Sequence, residues 1–168
     1  MYFIGDEEIE ALRELFKRKR LYRYQGTYKS ECDSFEDEFS KHVGIAHSLL
    51  LSSGTNALSL ALLSAGLQPG DEVIIPSYTF YATAAAVVHA GCIPVIANID
   101  AQLSLDFVDA KSKISERTKA VILVHMDGLS ANIPAAVEFC KEHKLLLIED
   151  VAQALGGKFN GRHLGTFG

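Results

Sequence analysis

Residues 145–157, LLLIEDVAQALGG, read as a buried strand that ends in two adjacent carboxylates, Glu149 and Asp150, followed three residues later by Gln153. A carboxylate entering a low-dielectric crevice is costly unless a cation or several donors meet it, and no Lys or Arg stands within the local turn. Two readings stay open: Asp150 caps the next turn, as Asp often does, or it meets a cation carried by a ligand. Two other turns share this ambiguity. SSGTNAL (52–58) runs from an apolar stretch into a helix with Gly54 at the junction. Backbone N–H groups and the positive end of the helix dipole there make an anion cradle, or simply a helix start capped by Ser53. PSYTF (76–80) sets Thr79 and Phe80 just past a strand end, where the ring either joins the core or covers one face of a flat heterocycle.

Together the three turns fit one molecule. A phosphate on the helix start at Gly54, an aromatic ring under Phe80, a protonated ring nitrogen facing Asp150 and a ring hydroxyl within reach of Gln153 describe pyridoxal 5'-phosphate. SSGTNAL is neither the dinucleotide fingerprint nor a Walker P-loop, so nucleotide-cofactor readings lose their usual support.

The positioning elements follow from hydrophobic periodicity. Ile9, Leu12 and Phe16 predict a first helix, and Phe35, Phe39 and Val43 a second from Glu31 to His42, with a turn at the glycine of YRYQGTY between them. Beyond Gly44, short apolar runs alternate with helical stretches. SLLLSS (48–53) is read as the first strand and EVIIP as the second, ending at Pro76; CIPVIANI, KAVILVH and KLLLIED follow. Helices are expected from Ala57 to Ala65, from Phe80 to His89, from Ser104 to Lys113, and from Ile133 to His143, the last capped by Asn132 with Pro134 in its first turn. Such alternation predicts an α/β fold, a mostly parallel sheet with helices on both faces. Ligands of such sheets bind beyond the carboxyl ends of the strands, where the three turns lie.

Composition narrows the function classes. The 168 residues, nearly half of them apolar, suit one sizeable core. A net charge of −5 argues against nucleic acid as the main partner, and the basic run at Lys17–Arg20 reads as a helix end. No apolar run approaches bilayer-spanning length and no signal peptide precedes the chain, so a cytoplasmic protein is expected. Cys32, Cys92 and Cys140 lack disulfide or zinc spacing and are read as buried small hydrophobes; no metal site is expected.

FEDEFSKHVG, SSGTNALSLALLSAGLQPGDEVIIPSYTF, the VH of VILVHMDG, IEDVAQALGG and GRHLGTFG, in this order, resemble the DegT/StrS aminotransferases, fold-type I pyridoxal-phosphate enzymes acting mainly on nucleotide-linked keto sugars. The resemblance runs from Arg23 onward. It implies that Gly54, Thr55 and Asn56 hold the phosphate, Phe80 stacks on the ring, Asp150 pairs with the ring nitrogen and Gln153 bonds the ring hydroxyl. It also implies glutamate or glutamine as amino donor and a homodimer; the absence of a nucleic-acid or membrane partner is expected from charge and hydropathy alone. Two positions depart from the family pattern, Asp127 where Tyr is frequent and Tyr81 where Val is common. In the family the Schiff-base lysine follows shortly after the GTFG segment, whereas this sequence stops at Gly168, and neither Lys144 nor Lys158 occupies a matching place. The expectation is an amino-terminal portion: a helical segment over 1–43, the first part of the cofactor-binding large domain over 44–168, and no C-terminal domain. The alternatives are an inactive cofactor-binding or partner protein, or a relative acting on a cyclitol or catalysing a dehydration.

Overall fold

Four of the apolar runs become strands: β1 (Glu72–Pro76), β2 (Ile93–Ala97), β3 (Thr118–Val124) and β4 (Leu146–Asp150). They are seen in a computed structural model that describes residues 3–19, 21–23 and 29–168. The sheet order is β2-β1-β3-β4 and every neighbouring pair is parallel. The chain leaves β1 for one edge, then returns to the other side of β1 for β3 and β4. The β1/β3 boundary is therefore the point at which the strand order reverses, where open α/β sheets bind ligands.

Six helices accompany the strands: α1 (Asp6–Arg18), α2 (Glu31–Val43), α3 (Gly54–Ser64), α4 (Ala82–His89), α5 (Phe107–Ser112) and α6 (Ile133–His143). The chain divides into two compact units, Met1–Leu50 and Leu51–Gly168. Within the second, side chains alternate between the two faces of the sheet with the period of two that strands impose. Val73, Ile75, Ala120, Ile122 and Val124 pack with Leu62 of α3 and Val87 of α4. Ile74, Val121 and Leu123 pack with Ala110 of α5 and Ile133, Ala136 and Phe139 of α6. Both faces are covered, as the near-continuous apolar runs require.

Local chemistry accounts for most boundaries. Asn132 accepts the Ala135 N–H at the start of α6, and Ser53 accepts the Asn56 N–H at the start of α3. The β5 (Lys158–Phe159) and β6 (Arg162–His163) hairpin turns through Asn160 and Gly161, with φ of 49° and 81°. Paired positive φ is what the Asn-Gly sequence favours in a two-residue hairpin loop.

The first unit holds α1 and α2. Lys17 and Arg18 occupy the last turn of α1, as the dipole favours, while Arg20 and the glycine of YRYQGTY lie outside the described residues. Ser30 and Asp33 close a reciprocal capping box at the start of α2.

The structure departs from the sequence reading at residues 48–53, which form no strand. At Leu50 the backbone groups a ladder would use are taken by side chains: Glu36 accepts its N–H and Arg23 donates to its carbonyl. Leu49 and Leu50 are exposed rather than buried as a central strand demands. Periodicity does not separate a short apolar run in extended chain from a buried strand. Cys92 and Cys140 are buried, and burial pushes the Cys140 thiol up to about 12, but Cys32 is only half-buried on α2. The helices expected from Phe80 and Ser104 begin later, at Ala82 and Phe107.

Candidate functional site

One cavity of about 400 Å³ opens at the carboxyl ends of β1, β3 and β4. Gly54, Thr55, Phe80, Asp150 and Gln153 all line it, with Thr79 beside Phe80. Leu58, Ala82, Val124, Met126 and Ala152 complete a mostly apolar wall, the usual setting for a small number of orienting polar groups. Asn56 is placed differently. Its side-chain amide donates to Ser52 Oγ at 2.9 Å, its N–H to Ser53 Oγ at 3.2 Å, and it is not part of the wall.

The anion cradle follows from the cap. Ser53 Oγ takes the Asn56 N–H and the Ser53 carbonyl takes that of Ala57, so the first turn closes on itself. The amides of Gly54 and Thr55, the first two of α3, have no intrahelical acceptor and lie at the cavity wall with the positive end of the dipole. α3 is held against α4 by Ser59, whose hydroxyl donates to the Ala86 carbonyl at 3.1 Å.

Phe80 is not core: the residue is 58% exposed, its ring against the tilted ring of Tyr81 at 4.4 Å between centroids. A ring at this position is free to cover a flat ligand.

The Asp150 carboxylate caps the next turn with one oxygen and leaves the other available. Oδ1 accepts the Ala152 N–H at 3.0 Å, which caps the following turn. Oδ2 has no protein donor, and no Lys or Arg pairs with the carboxylate among the described residues. The strand end is anchored because the His125 N–H donates to the Asp150 carbonyl at 3.0 Å, extending the β3–β4 ladder by one bond. A carboxylate with no Lys or Arg partner among the described residues, lining one cavity with a helix N-terminus and an exposed aromatic ring, fits a phosphorylated heteroaromatic cation such as pyridoxal 5'-phosphate.

The neighbouring carboxylate does something different. Glu149 points to the opposite face of the sheet, the α5/α6 side, where its side chain is 2% exposed. Oε2 accepts from His125 Nε2 at 3.1 Å and the Gly165 N–H at 3.0 Å; Oε1 accepts from the N–H groups of Phe167 at 2.6 Å and Gly168 at 2.9 Å. His125 is fully buried and its Nδ1 accepts the Ala131 N–H at 3.0 Å, so the proton resides on Nε2, directed at Glu149. Burial pushes the Glu149 carboxyl up, and the His125 bond and three backbone amides outweigh it, holding the group below its ordinary value. This clamp, which ties the GTFG segment to the end of β4, was missed in the sequence. The available signal was the pair of consecutive carboxylates on one strand, which must face opposite sides.

The model of the DegT/DnrJ/EryC1/StrS aminotransferase family matches residues 3–168. The GDP-perosamine synthase of Vibrio cholerae is 42% identical over 137 residues, 81% of this chain and 37% of its own length. The dTDP-4-dehydro-2,3,6-trideoxy-D-glucose 4-aminotransferase of Saccharopolyspora spinosa is 36% identical over 168 residues, 98% of this chain and 42% of its own. Among solved structures, 3-amino-5-hydroxybenzoic acid synthase superposes with a TM-score of 0.90 at 34% identity, over 97% of this chain and 42% of that one. NtdA from Bacillus subtilis, with bound cofactor PMP, superposes with a TM-score of 0.84 at 30% identity, over 94% and 36%. The chain thus spans between 36% and 42% of the length of these relatives. No helix among the described residues is long and apolar enough to cross a membrane.

Proposed function

Because the chain belongs to the DegT/DnrJ/EryC1/StrS aminotransferase family, we propose that its cavity binds pyridoxal 5'-phosphate and serves transfer of an amino group from glutamate or glutamine to a nucleotide-linked keto sugar. The observation that carries the cofactor reading is the placement of Gly54, Thr55, Phe80, Asp150 and Gln153 on one cavity wall, with no Lys or Arg paired to the Asp150 carboxylate among the described residues. When bound, the cofactor supplies an electron sink. The chain's own residues do the rest. The Gly54 and Thr55 amides hold the phosphate, Asp150 Oδ2 keeps a proton on the ring nitrogen, Phe80 covers one ring face, and the Gln153 amide meets the ring oxygen. The apolar wall of Leu58, Val124 and Met126 limits water around these groups, which strengthens each polar contact. Amination of a nucleotide-linked sugar is supported by the printed activities of the Vibrio cholerae and Saccharopolyspora spinosa relatives.

The test is equilibrium titration of the protein with pyridoxal 5'-phosphate. Asp150→Asn keeps an oxygen for the Ala152 N–H but removes the charge, and is expected to weaken binding about tenfold to a hundredfold, the worth of one charge-assisted hydrogen bond. Unchanged affinity in Asp150→Asn overturns the pairing. Amino transfer is assayed with glutamine and glutamate against nucleotide-linked keto sugars on a chain extended through the lysine that the family carries after the GTFG segment; turnover with neither donor overturns the reaction.

A further inference from the structure

Asp127, three residues beyond β3, adopts the left-handed conformation with φ of 52°, which Asp tolerates better than most residues. Its N–H donates to Gln153 Oε1 at 2.9 Å. Its carboxylate accepts the Tyr78 hydroxyl at 3.2 Å, and pushes that phenol up. Tyr78 follows β1, Asp127 follows β3 and Gln153 follows β4, so one hydrogen-bonded chain joins the ends of three neighbouring strands beside the cavity.

A backbone N–H only donates, so the carboxamide atom it meets must be the oxygen. That choice settles which way the amide is turned. With Oε1 turned to Asp127, the group left for a ligand is Nε2, which donates and does not accept. The geometry points to Asp127 as a positioning residue: its amide turns the Gln153 carboxamide so that this corner of the cavity presents a donor and selects a ligand bearing an acceptor or anionic oxygen. The identification of that oxygen with the ring oxygen of a pyridoxal-type cofactor rests on the proposed function; the orientation of the amide does not. A donor at this point favours the ring oxygen in its deprotonated form, whereas an amide turned the other way favours the hydroxyl.

Two measurements separate the orientation from the cofactor reading. Without ligand, hydrogen exchange at the Asp127 amide is expected to be slower than in Gln153→Ala by about tenfold, the loss of one ordinary hydrogen bond, and to stay slow in Gln153→Glu, which retains an acceptor. Equal rates in the protein and Gln153→Ala overturn the orientation. With pyridoxamine 5'-phosphate as probe, near-ultraviolet absorbance at one pH reports the ionisation of the ring oxygen. The protein and Asp127→Gly, which keeps the N–H and suits positive φ, are expected to hold the probe with the same band. Gln153→Glu, which offers the ligand an acceptor instead, and Asp127→Pro, which has no N–H, shift the band toward the protonated form. An unshifted band in Gln153→Glu overturns the donor role, whether or not Asp127→Pro folds. Failure of the protein to bind the probe overturns the cofactor reading, and the exchange measurement still decides the orientation.

Discussion

Changing Glu149 to glutamine replaces one oxygen by a nitrogen, and the geometry makes that replacement costly. Both carboxylate oxygens accept two N–H donors each: Oε2 from His125 and Gly165, Oε1 from Phe167 and Gly168. Whichever way the glutamine amide turns, its NH₂ faces two donors. One orientation leaves the fully buried His125 Nε2 without an acceptor, the other leaves the half-buried Phe167 amide, while the exposed Gly165 or Gly168 amide turns to water. Losing one buried charge-assisted bond and opposing donor to donor is expected to cost about 2–4 kcal/mol. Glu149→Ala, which leaves the buried His125 donor and the half-buried Phe167 amide both unmet, should cost about 3–5 kcal/mol. Urea unfolding near neutral pH measures both, and amide exchange at Phe167 shows whether the GTFG segment loosens with them. The sign of the pH dependence follows from the lowered carboxyl. Its contribution is fully present above the ordinary value of 4.5 and is lost as pH falls through the lower folded value. The Glu149→Ala protein should therefore show a shallower loss of stability in that acid range. A Glu149→Gln protein within about 0.5 kcal/mol of the parent would refute the four-donor clamp, since that is the range of surface substitutions.

Two further outcomes test the separation of site from scaffold. Gly54→Ala introduces a Cβ that meets nothing within 4 Å beyond its chain neighbours and its own helix backbone, at a residue lining the cavity; unfolding should be unchanged, while affinity for pyridoxal 5'-phosphate in equilibrium titration falls by about tenfold or more as the methyl takes space beside the α3 amides that a phosphate needs. Glu72, at the opposite end of β1, is held below its ordinary value by the Ser115 hydroxyl first, against burial, and by Arg117 and Thr118. Glu72→Ala should lower stability by about 1–3 kcal/mol in urea unfolding and leave cofactor affinity unchanged, because it takes an acceptor from the buried Thr118 hydroxyl and a partner from Ser115 and Arg117, all at the end of β1 away from the cavity.

Much of the site was legible because its turns obey local rules. Ser53 before Gly54, Asn132 before Pro134 and Asn160 before Gly161 each specify a backbone conformation within three or four residues, and the structure has all three where the sequence places them. The α6 boundaries, Ile133 to His143, agree with the sequence reading for the same reason. Residues 48–53 misled because apolar character alone does not reveal that Glu36 and Arg23 satisfy the backbone at Leu50. Asn56, which the family resemblance assigns to the phosphate, has its side-chain amide on Ser52 Oγ in this structure.

Alternating burial, caps and turn residues determined that this chain makes a parallel α/β sheet and that Gly54, Phe80, Asp150 and Gln153 sit at strand or helix ends, since each of those signals acts over a few residues. Only the tertiary structure decided which distant groups meet. It put Asp150 on the cavity wall with no Lys or Arg partner among the described residues, turned Glu149 into a four-donor clamp with His125, and joined Tyr78, Asp127 and Gln153 across three strands. Those partnerships depend on strand order and register, long-range quantities that no local pattern encodes.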